Sequence, residues 1–387
     1  MWSEMKKIRV LQFPIADSKG GITQYVLQNW KYIDKSKFQF DFATMSRTLS
    51  FAKELEKEGC KIYYISCYAE ENREKFAHEF RKILSEGNYD IVHLHTKQWK
   101  SFLVEQIAKE AGVKKIIIHA HSTGIDTLDN NQRKTEVQLH KNVLEQLTED
   151  IATDFWACSK AAADFIFGER IRKGNICLMR NAIKVSRYIY NAEIRKRYRE
   201  NMGISDDEYL IGSVGRLAYP KNQEFLIEVF SEICKKNIEN GQKYRLLLVG
   251  TGEREREYKK IVGENEFGGR VIFTGHREDV PELLQMMDVF CLPSLFEGLP
   301  MSLVEAQASG LTCIASDCIT KEADITGNIY YKRLDKHEWA DCILDISKDL
   351  HDRKNEKYEE ILESEYNITN QISKVERLYM EGFHEKI

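Results

Sequence analysis

Several things are missing from this 387-residue chain, and each absence removes a class of protein. No window holds the roughly 18 uninterrupted apolar residues that a membrane-spanning helix requires. The stretch MWSEMKKIRVLQF has neither a long apolar segment nor a cleavage site, so no secretory leader is read there and a cytoplasmic protein is expected. Nine cysteines occur, none paired as C-x-x-C, and an odd scattered number describes reduced, mostly buried thiols rather than a disulfide framework or a zinc site. No short-period repeat or low-complexity segment is present, which sets solenoids aside. The G-x-G-x-x-G fingerprint and H-E-x-x-H are both absent, leaving a dinucleotide site and a zinc-hydrolase site unsupported. A net charge of -4 without a concentrated basic-aromatic patch excludes nucleic acid as the expected partner.

What is present describes a soluble globular protein long enough for two cores, with 42% hydrophobic and 30% charged residues. The charge is unevenly spread. Residues 1–185 carry 29 Lys and Arg against 24 Asp and Glu, and residues 186–387 carry 28 against 37, so the first part is +5 and the second -9. A basic first half suits an anionic partner such as an acidic membrane surface, and an ordinary solvated surface explains the counts equally well.

Short β-rich apolar runs alternate with amphipathic stretches. KKIRVLQFPI, FQFDFATM, CKIYYISC, YDIVHLHT, KKIIIHAHS and DFWACS read as strands, and a second series starts with YLIGSVGRL and continues through YRLLLVGTG, RVIFTGHR, VFCLPS and TCIASD. Such alternation predicts two doubly wound α/β domains with parallel sheets covered on both faces. The polar, basic stretch beginning near residue 180 marks the linker, so the expected domains are 1–183 and 184–367, with a last helix at about 368–387. Ligands of tandem open sheets are expected at the carboxyl ends of the strands, where the two domains face each other across a cleft.

Three loops and one pair of strands carry candidate chemistry. In GSVGRLAYPKN, Arg216 and Lys221 stand between a strand and a helix, a rigid bidentate donor and a compact point charge suited to a diphosphate, though two cations in a loop are common on any surface. Gly20 and Gly21 separate the first strand from its helix, where missing Cβ atoms permit close approach to a phosphate or sugar; a plain tight turn is the alternative. Histidines recur at His93 and His95 in HLH and at His119 and His121 in HAH, each pair on one strand face. No carboxylate lies at ligand spacing, so one functional histidine is favoured over a metal. SLFEGLPMSLVEAQASG sets Glu297 and Glu305 around a helix start. There Ser302 with Glu305 fits a capping box, Pro300 fits the first helical position and Gly310 fits the cap beyond the end. The free amides of Leu299, Met301 and Ser302 would make an anion site between the two acids.

In combination, Gly20-Gly21, GSVGRLAYPKN, VIFTGHREDVPELL, LPSLFEGLPMSLVEAQASG and CIASD resemble the retaining nucleotide-sugar glycosyltransferases of family 4, which have the GT-B fold. The first half, in LQFPIADSKGGITQYVLQNW, YDIVHLHT, IIIHAHSTG, WACSKAAADFIFG and RNAI, resembles the subgroup of capsule and exopolysaccharide synthesis. The resemblance keeps its order over nearly the whole chain. It implies a last helix crossing back to the first domain, and transfer of a hexose or N-acetylhexosamine from a UDP-sugar to a lipid-linked glycan at the inner membrane face. Position by position it implies Glu297 at the donor sugar and Glu305 on the ribose hydroxyls. Arg216 and Lys221 would hold the diphosphate, with the loop Gly298, Leu299, Pro300, Met301 and Ser302 beside it. Gly20 and Gly21 would close over donor and acceptor, and Arg277 lies where the base is held through backbone groups. His121, or else His119, matches the active-site histidine, with His93, His95 and His119 on the acceptor side. Pro300 stands where many members have Gly, which removes one amide from the phosphate loop. No D-x-D triplet occurs, agreeing with a family that works without metal or other cofactor. A nucleotide-sugar sensor without activity, or an epimerase or phosphorylase of the same fold, is the alternative.

Overall fold

The computed structural model describes all residues except 1–5, 18–19, 126, 128, 237–242, 266, 268, 349–352, 354–356 and 384–387; the last four of these fall in the expected terminal helix. By contacts the chain divides into two compact units, residues 1–125 with 129–182 and 368–387, and residues 183–367 with 126–128.

The first unit contains β1 (Ile8–Phe13), α1 (Gly21–Tyr32), β2 (Phe38–Thr44), α2 (Ala52–Lys57), β3 (Ile62–Tyr64), α3 (Arg73–Gly87), β4 (Ile91–Thr96), α4 (Leu103–Glu110), β5 (Lys115–Ala120), α5 (Asn130–Leu144), β6 (Asp154–Ala157), α6 (Lys160–Phe167) and β7 (Ile176–Leu178). The seven strands form one parallel sheet in the order β3-β2-β1-β4-β5-β6-β7, in register from Val10 opposite Ile91 and from His93 opposite Ile117. Strands buried on both faces need apolar residues at nearly every position, which is why β5 reads KIIIHA. Alternation sends Val10, Ile91 and Ile117 to one face and Leu11, Val92 and Ile116 to the other.

The first of these faces is closed from far along the sequence. Helix α14 (Ile368–Met380) belongs to this unit and sets Ile372, Val375 and Tyr379 among Trp30, Phe38, Phe40 and Trp156. Burying each of those three side chains contributes about 1.5–3 kcal/mol, so a single charge at Val375 would detach the helix. Lys374 Nζ donates to the Leu178 carbonyl at 2.8 Å and Asp34 N donates to Glu376 at 2.7 Å, which fixes the helix along its length.

The second unit runs α7 (Ala192–Asn201), β8 (Glu208–Val214), α8 (Gln223–Lys236), β9 (Lys243–Val249), α9 (Glu255–Glu264), β10 (Val271–Gly275), α10 (Val280–Met286), β11 (Val289–Leu292), α11 (Met301–Ala308), β12 (Thr312–Ser316), β13 (Ile329–Lys332), α12 (Lys336–Ile346) and α13 (Tyr358–Glu363). Its six parallel strands lie in the order β10-β9-β8-β11-β12-β13. Two doubly wound α/β units are therefore present, as the alternating pattern predicts. Asp288, just before β11, accepts from Arg195 at 2.5 Å, from Arg199 at 3.2 Å and from the amide of Leu210 at 2.6 Å. Arg199 is 1% exposed, and this carboxylate is what makes its burial tolerable.

Candidate functional site

In the second sheet the strand order reverses between β8 and β11, so the loops leaving their carboxyl ends emerge side by side. These are residues 215–222 and 293–300. The amide of Leu295 donates to the Pro220 carbonyl at 2.8 Å and the Asn222 side chain donates to the Pro293 carbonyl at 3.2 Å, which ties the two loops together. Asn222 sits at φ 52, in the left-handed region that Asn tolerates better than most residues. The loop after β9 closes in from the other side. A Cβ on Gly250 would lie 2.1 Å from the Gly215 carbonyl oxygen and one on Gly252 2.2 Å from that of Leu217, so only glycine permits the approach.

This framework brings Lys221 and Glu297 into contact. Lys221 Nζ donates to Glu297 Oε1 at 2.6 Å, and Ser294 Oγ donates to the same oxygen at 2.6 Å. Both charges are partly shielded, at 23% and 11% exposure, so the pair is oriented rather than free in solvent. Arg216 is exposed in the same loop, and its carbonyl accepts from Gln223.

Glu297 lies in the loop and Glu305 in α11, as expected from sequence. The capping box does not form. Pro300 is the cap residue rather than the first helical one, and Ser302 is the second residue of the helix with its hydroxyl buried and unbonded. A capping serine must precede the helix, and here the S-x-x-E spacing falls two residues too late. The first-turn amides consequently have no side-chain acceptor from the chain at this cap. Gly310, at φ 71, ends the helix, its amide donating to Gln307 O at 2.8 Å.

Glu305 is held apart from Glu297 by its own partner. The Tyr188 hydroxyl donates to Glu305 Oε1 at 2.9 Å. Burial pushes this carboxyl up to about 7, while Tyr188, Lys221 and Arg187 draw it down less strongly. Nothing in the sequence signals Tyr188, which stands 117 positions earlier. Arg277, after β10, forks onto Asp279, with Nε 2.7 Å from Oδ1, and Tyr198 donates to the same carboxylate at 3.1 Å. The Arg277 side chain is thus committed to its neighbour.

In the first unit, Gly20 caps α1 without a side-chain bond and the space around a Cβ on Gly21 is open. Thr23 clamps the preceding turn through Ala16, accepting from its amide at 3.0 Å. A pocket of about 120 Å³ opens there, lined by Pro14, Ala16, Gly20, Thr23, Ser46 and Lys97 among others.

The four histidines gather on the sheet face beneath α1 and α14. His93 and His119 are fully buried and His95 is 4% exposed, with the Tyr25 ring edge-on to His119 at 4.9 Å. His93, His95 and His119, expected on the acceptor side, therefore lie buried on the sheet face that α1 and α14 cover. His121, just past β5, is the partly exposed one. Burial, and then the neighbouring rings, hold His93, His95 and His121 well below the ordinary imidazole range, and burial pushes His119 down to about 3, so all four rings are neutral at pH 7. Nitrogens of His93, His95 and His119 lie within 4.8 Å of one another, the geometry of a possible metal cluster. All but one of their ring nitrogens are engaged by His121, Gln12 and Tyr379 and by each other; the exception is His119 Nε2, which is buried without a hydrogen-bond partner.

Residues 20–182 match the family described as glycosyl transferase 4-like domain, and residues 194–364 match glycosyl transferases group 1. EpsF of Bacillus subtilis (strain 168), whose name assigns it to the glycosyltransferases, is 32% identical over 319 residues, covering 82% of this chain and 81% of that protein. The UDP-Gal:alpha-D-GlcNAc-diphosphoundecaprenol alpha-1,3-galactosyltransferase of Escherichia coli is 25% identical over 291 residues, 74% of this chain and 68% of that one. Among solved structures, HepE of Anabaena in complex with UDP superposes with a TM-score of 0.75 at 17% identity, over 96% of this chain and 99% of the other.

Proposed function

The chain belongs to the group 1 glycosyltransferases with a glycosyl transferase 4-like first domain, and from that premise we propose a retaining, metal-independent enzyme that moves a hexose or N-acetylhexosamine from a UDP-sugar to a lipid-linked glycan in bacterial cell-surface polysaccharide synthesis. The observation that carries the reading is the ion pair of Lys221 with Glu297, seated with Ser294 beside the start of α11 at the sheet's reversal point. The E. coli relative is named for a UDP-sugar donor and a diphosphoundecaprenol acceptor, and HepE holds UDP, which supports nucleotide and acceptor class.

Breaking a sugar-phosphate bond builds negative charge on the departing diphosphate and positive character on the sugar. Lys221, Arg216, the loop amides of Gly298 and Leu299 and the first-turn amides of Met301 and Ser302 oppose the first charge. When Lys221 turns to the diphosphate, Glu297 is released from its partner and presents a carboxylate to the sugar. Glu305, behind the helix start, takes the ribose hydroxyls. Retention follows from attack on the face the diphosphate leaves, with a phosphate oxygen accepting the acceptor's proton. Arg277 contributes through its backbone, since its guanidinium is held by Asp279. Gly20 and Gly21 border the acceptor side and His121 faces the donor sugar. The basic first half favours peripheral contact with an acidic cytoplasmic membrane surface.

A panel of nucleotide sugars, assayed for release of nucleoside diphosphate with and without membrane lipid extract, tests the reading. Turnover with a UDP-hexose or UDP-N-acetylhexosamine, stimulated by the extract and undiminished by a chelator, is the expected result. No turnover with any donor under either condition would sink it.

A further inference from the structure

The buried face of the first sheet carries a continuous line of hydrogen bonds that ends at His121. Its members come from four elements, with His121 just past one of them, and from four well-separated parts of the sequence: His119 Nδ1 lies 3.2 Å from His93 Nε2, and His93 Nδ1 lies 2.6 Å from the Tyr379 hydroxyl. Gln12 Nε2 donates to that hydroxyl at 3.1 Å. Gln12 Oε1 lies 2.8 Å from His95 Nε2, and His95 Nδ1 lies 3.0 Å from His121 Nε2.

Each link constrains the next, because a neutral imidazole has one N–H and one lone pair. The Gln12 carboxamide oxygen only accepts, so His95 Nε2 must carry the hydrogen. His95 Nδ1 is then a lone pair, and His121 Nε2 must donate to it. On the other side, the Tyr379 hydroxyl accepts from Gln12 and keeps its own hydrogen, which the 2.6 Å contact gives to His93 Nδ1. His93 Nε2 then donates to His119 Nδ1, which leaves the hydrogen of His119 on Nε2. The whole line has a single alternative, with every bond reversed and the Gln12 amide turned over. That alternative strips the hydrogen from His119 Nε2. The Gln12 amide as placed, with Nε2 toward Tyr379 and Oε1 toward His95, selects the first polarity.

We infer that Gln12, His95 and Tyr379 are positioning residues that lock His121 as its Nε2–H tautomer, so that His121 offers a bare Nδ1 lone pair to whatever enters from the partly exposed side. If the function proposed above holds, that atom accepts a hydrogen bond from a sugar hydroxyl and cannot donate one. A hydroxyl at that position of the sugar would be favoured, and a carbonyl or ether oxygen refused. The burial that keeps all four rings neutral maintains the polarity, since one extra proton in the line would break it.

The test is nitrogen-15 NMR of histidine-labelled full-length protein at neutral pH, with His121→Gln supplying the assignment. Wild type is expected to show His121 as a single neutral species, protonated at Nε2. Tyr379→Phe removes the hydroxyl but keeps the ring, and Gln12→Met removes both amide groups at similar length. Each is expected to convert the His121 signal into a mixture of tautomers while near-ultraviolet circular dichroism stays native. His121 protonated at Nδ1 in wild type overturns the inference, and so does an unchanged single tautomer in folded Tyr379→Phe. Should Gln12→Met not fold, Tyr379→Phe decides alone. No substrate is involved, so failure here is separate from failure of the donor panel, which would overturn the proposed function and leave the tautomer untouched.

Discussion

Replacing Glu305 by glutamine keeps the shape of the side chain and an oxygen for the Tyr188 hydroxyl to donate to, but removes the titration. In the wild type burial raises this carboxyl from the ordinary 4.5 to about 7. The native state therefore binds the proton more tightly than the unfolded chain does, and the stability this contributes is complete below about 4.5 and lost as pH rises through about 7. A shift of roughly 2.5 units at about 1.4 kcal/mol per unit sets the loss on the order of 3 kcal/mol. Glu305→Gln and wild type should thus be nearly equal in stability near pH 4.5, and the variant should be the more stable by up to about 3 kcal/mol at about pH 8. Two units need not unfold in one step, so the readout is the difference in urea midpoint between the two proteins across a pH series, at matched slopes. A difference that stays constant from acid to alkaline pH would refute the reasoning, since it would mean the carboxyl ionises as it does in water.

Lys221→Ala should lower kcat by about 10²–10³, the usual loss on removing one charge-stabilising donor; steady-state rates with the best donor check this. Asp288→Ala leaves Arg195 and the buried Arg199 without their carboxylate and should cost about 3–5 kcal/mol, read as a lowered unfolding midpoint. Gly252→Ala puts a methyl group where the Leu217 carbonyl stands, and calorimetry should find it destabilised by about 1–3 kcal/mol, with nucleotide affinity reduced as the 215–222 loop shifts.

The fold was largely legible because a parallel strand buried on both faces must be written in apolar residues, and runs such as KIIIHA and YLIGSV have few other uses. Two of the four edge strands escape that logic. β7 is three residues long and β13 four, with Tyr330 47% exposed, and neither leaves a readable run. In the site, Lys221 and Glu297 stand out by their place after strands and by resemblance, but the bond between them depends on a strand order the sequence does not display. Ser302 misled because the spacing of a capping box is satisfied without the register. Tyr188 and Tyr379 act across more than a hundred positions each, on Glu305 and on His93, and their local sequence says nothing of it. Gln12 alone left a trace, a polar residue inside the apolar run VLQF.

Helix α14 has a consequence for synthesis. The second unit is essentially one uninterrupted stretch, residues 183–367, whereas the first has its core closed by a helix made only after that stretch. At about 5–20 residues per second, a ribosome takes roughly 10–40 s to pass from one part of the first unit to the other. Throughout that interval Trp30, Phe38, Phe40 and Trp156 lack the cover of α14, and the nascent first unit presents apolar surface of the kind chaperones bind. Premature termination just after residue 367 would spare the second unit, which could still be trapped as a folded fragment, and deny the first its native state.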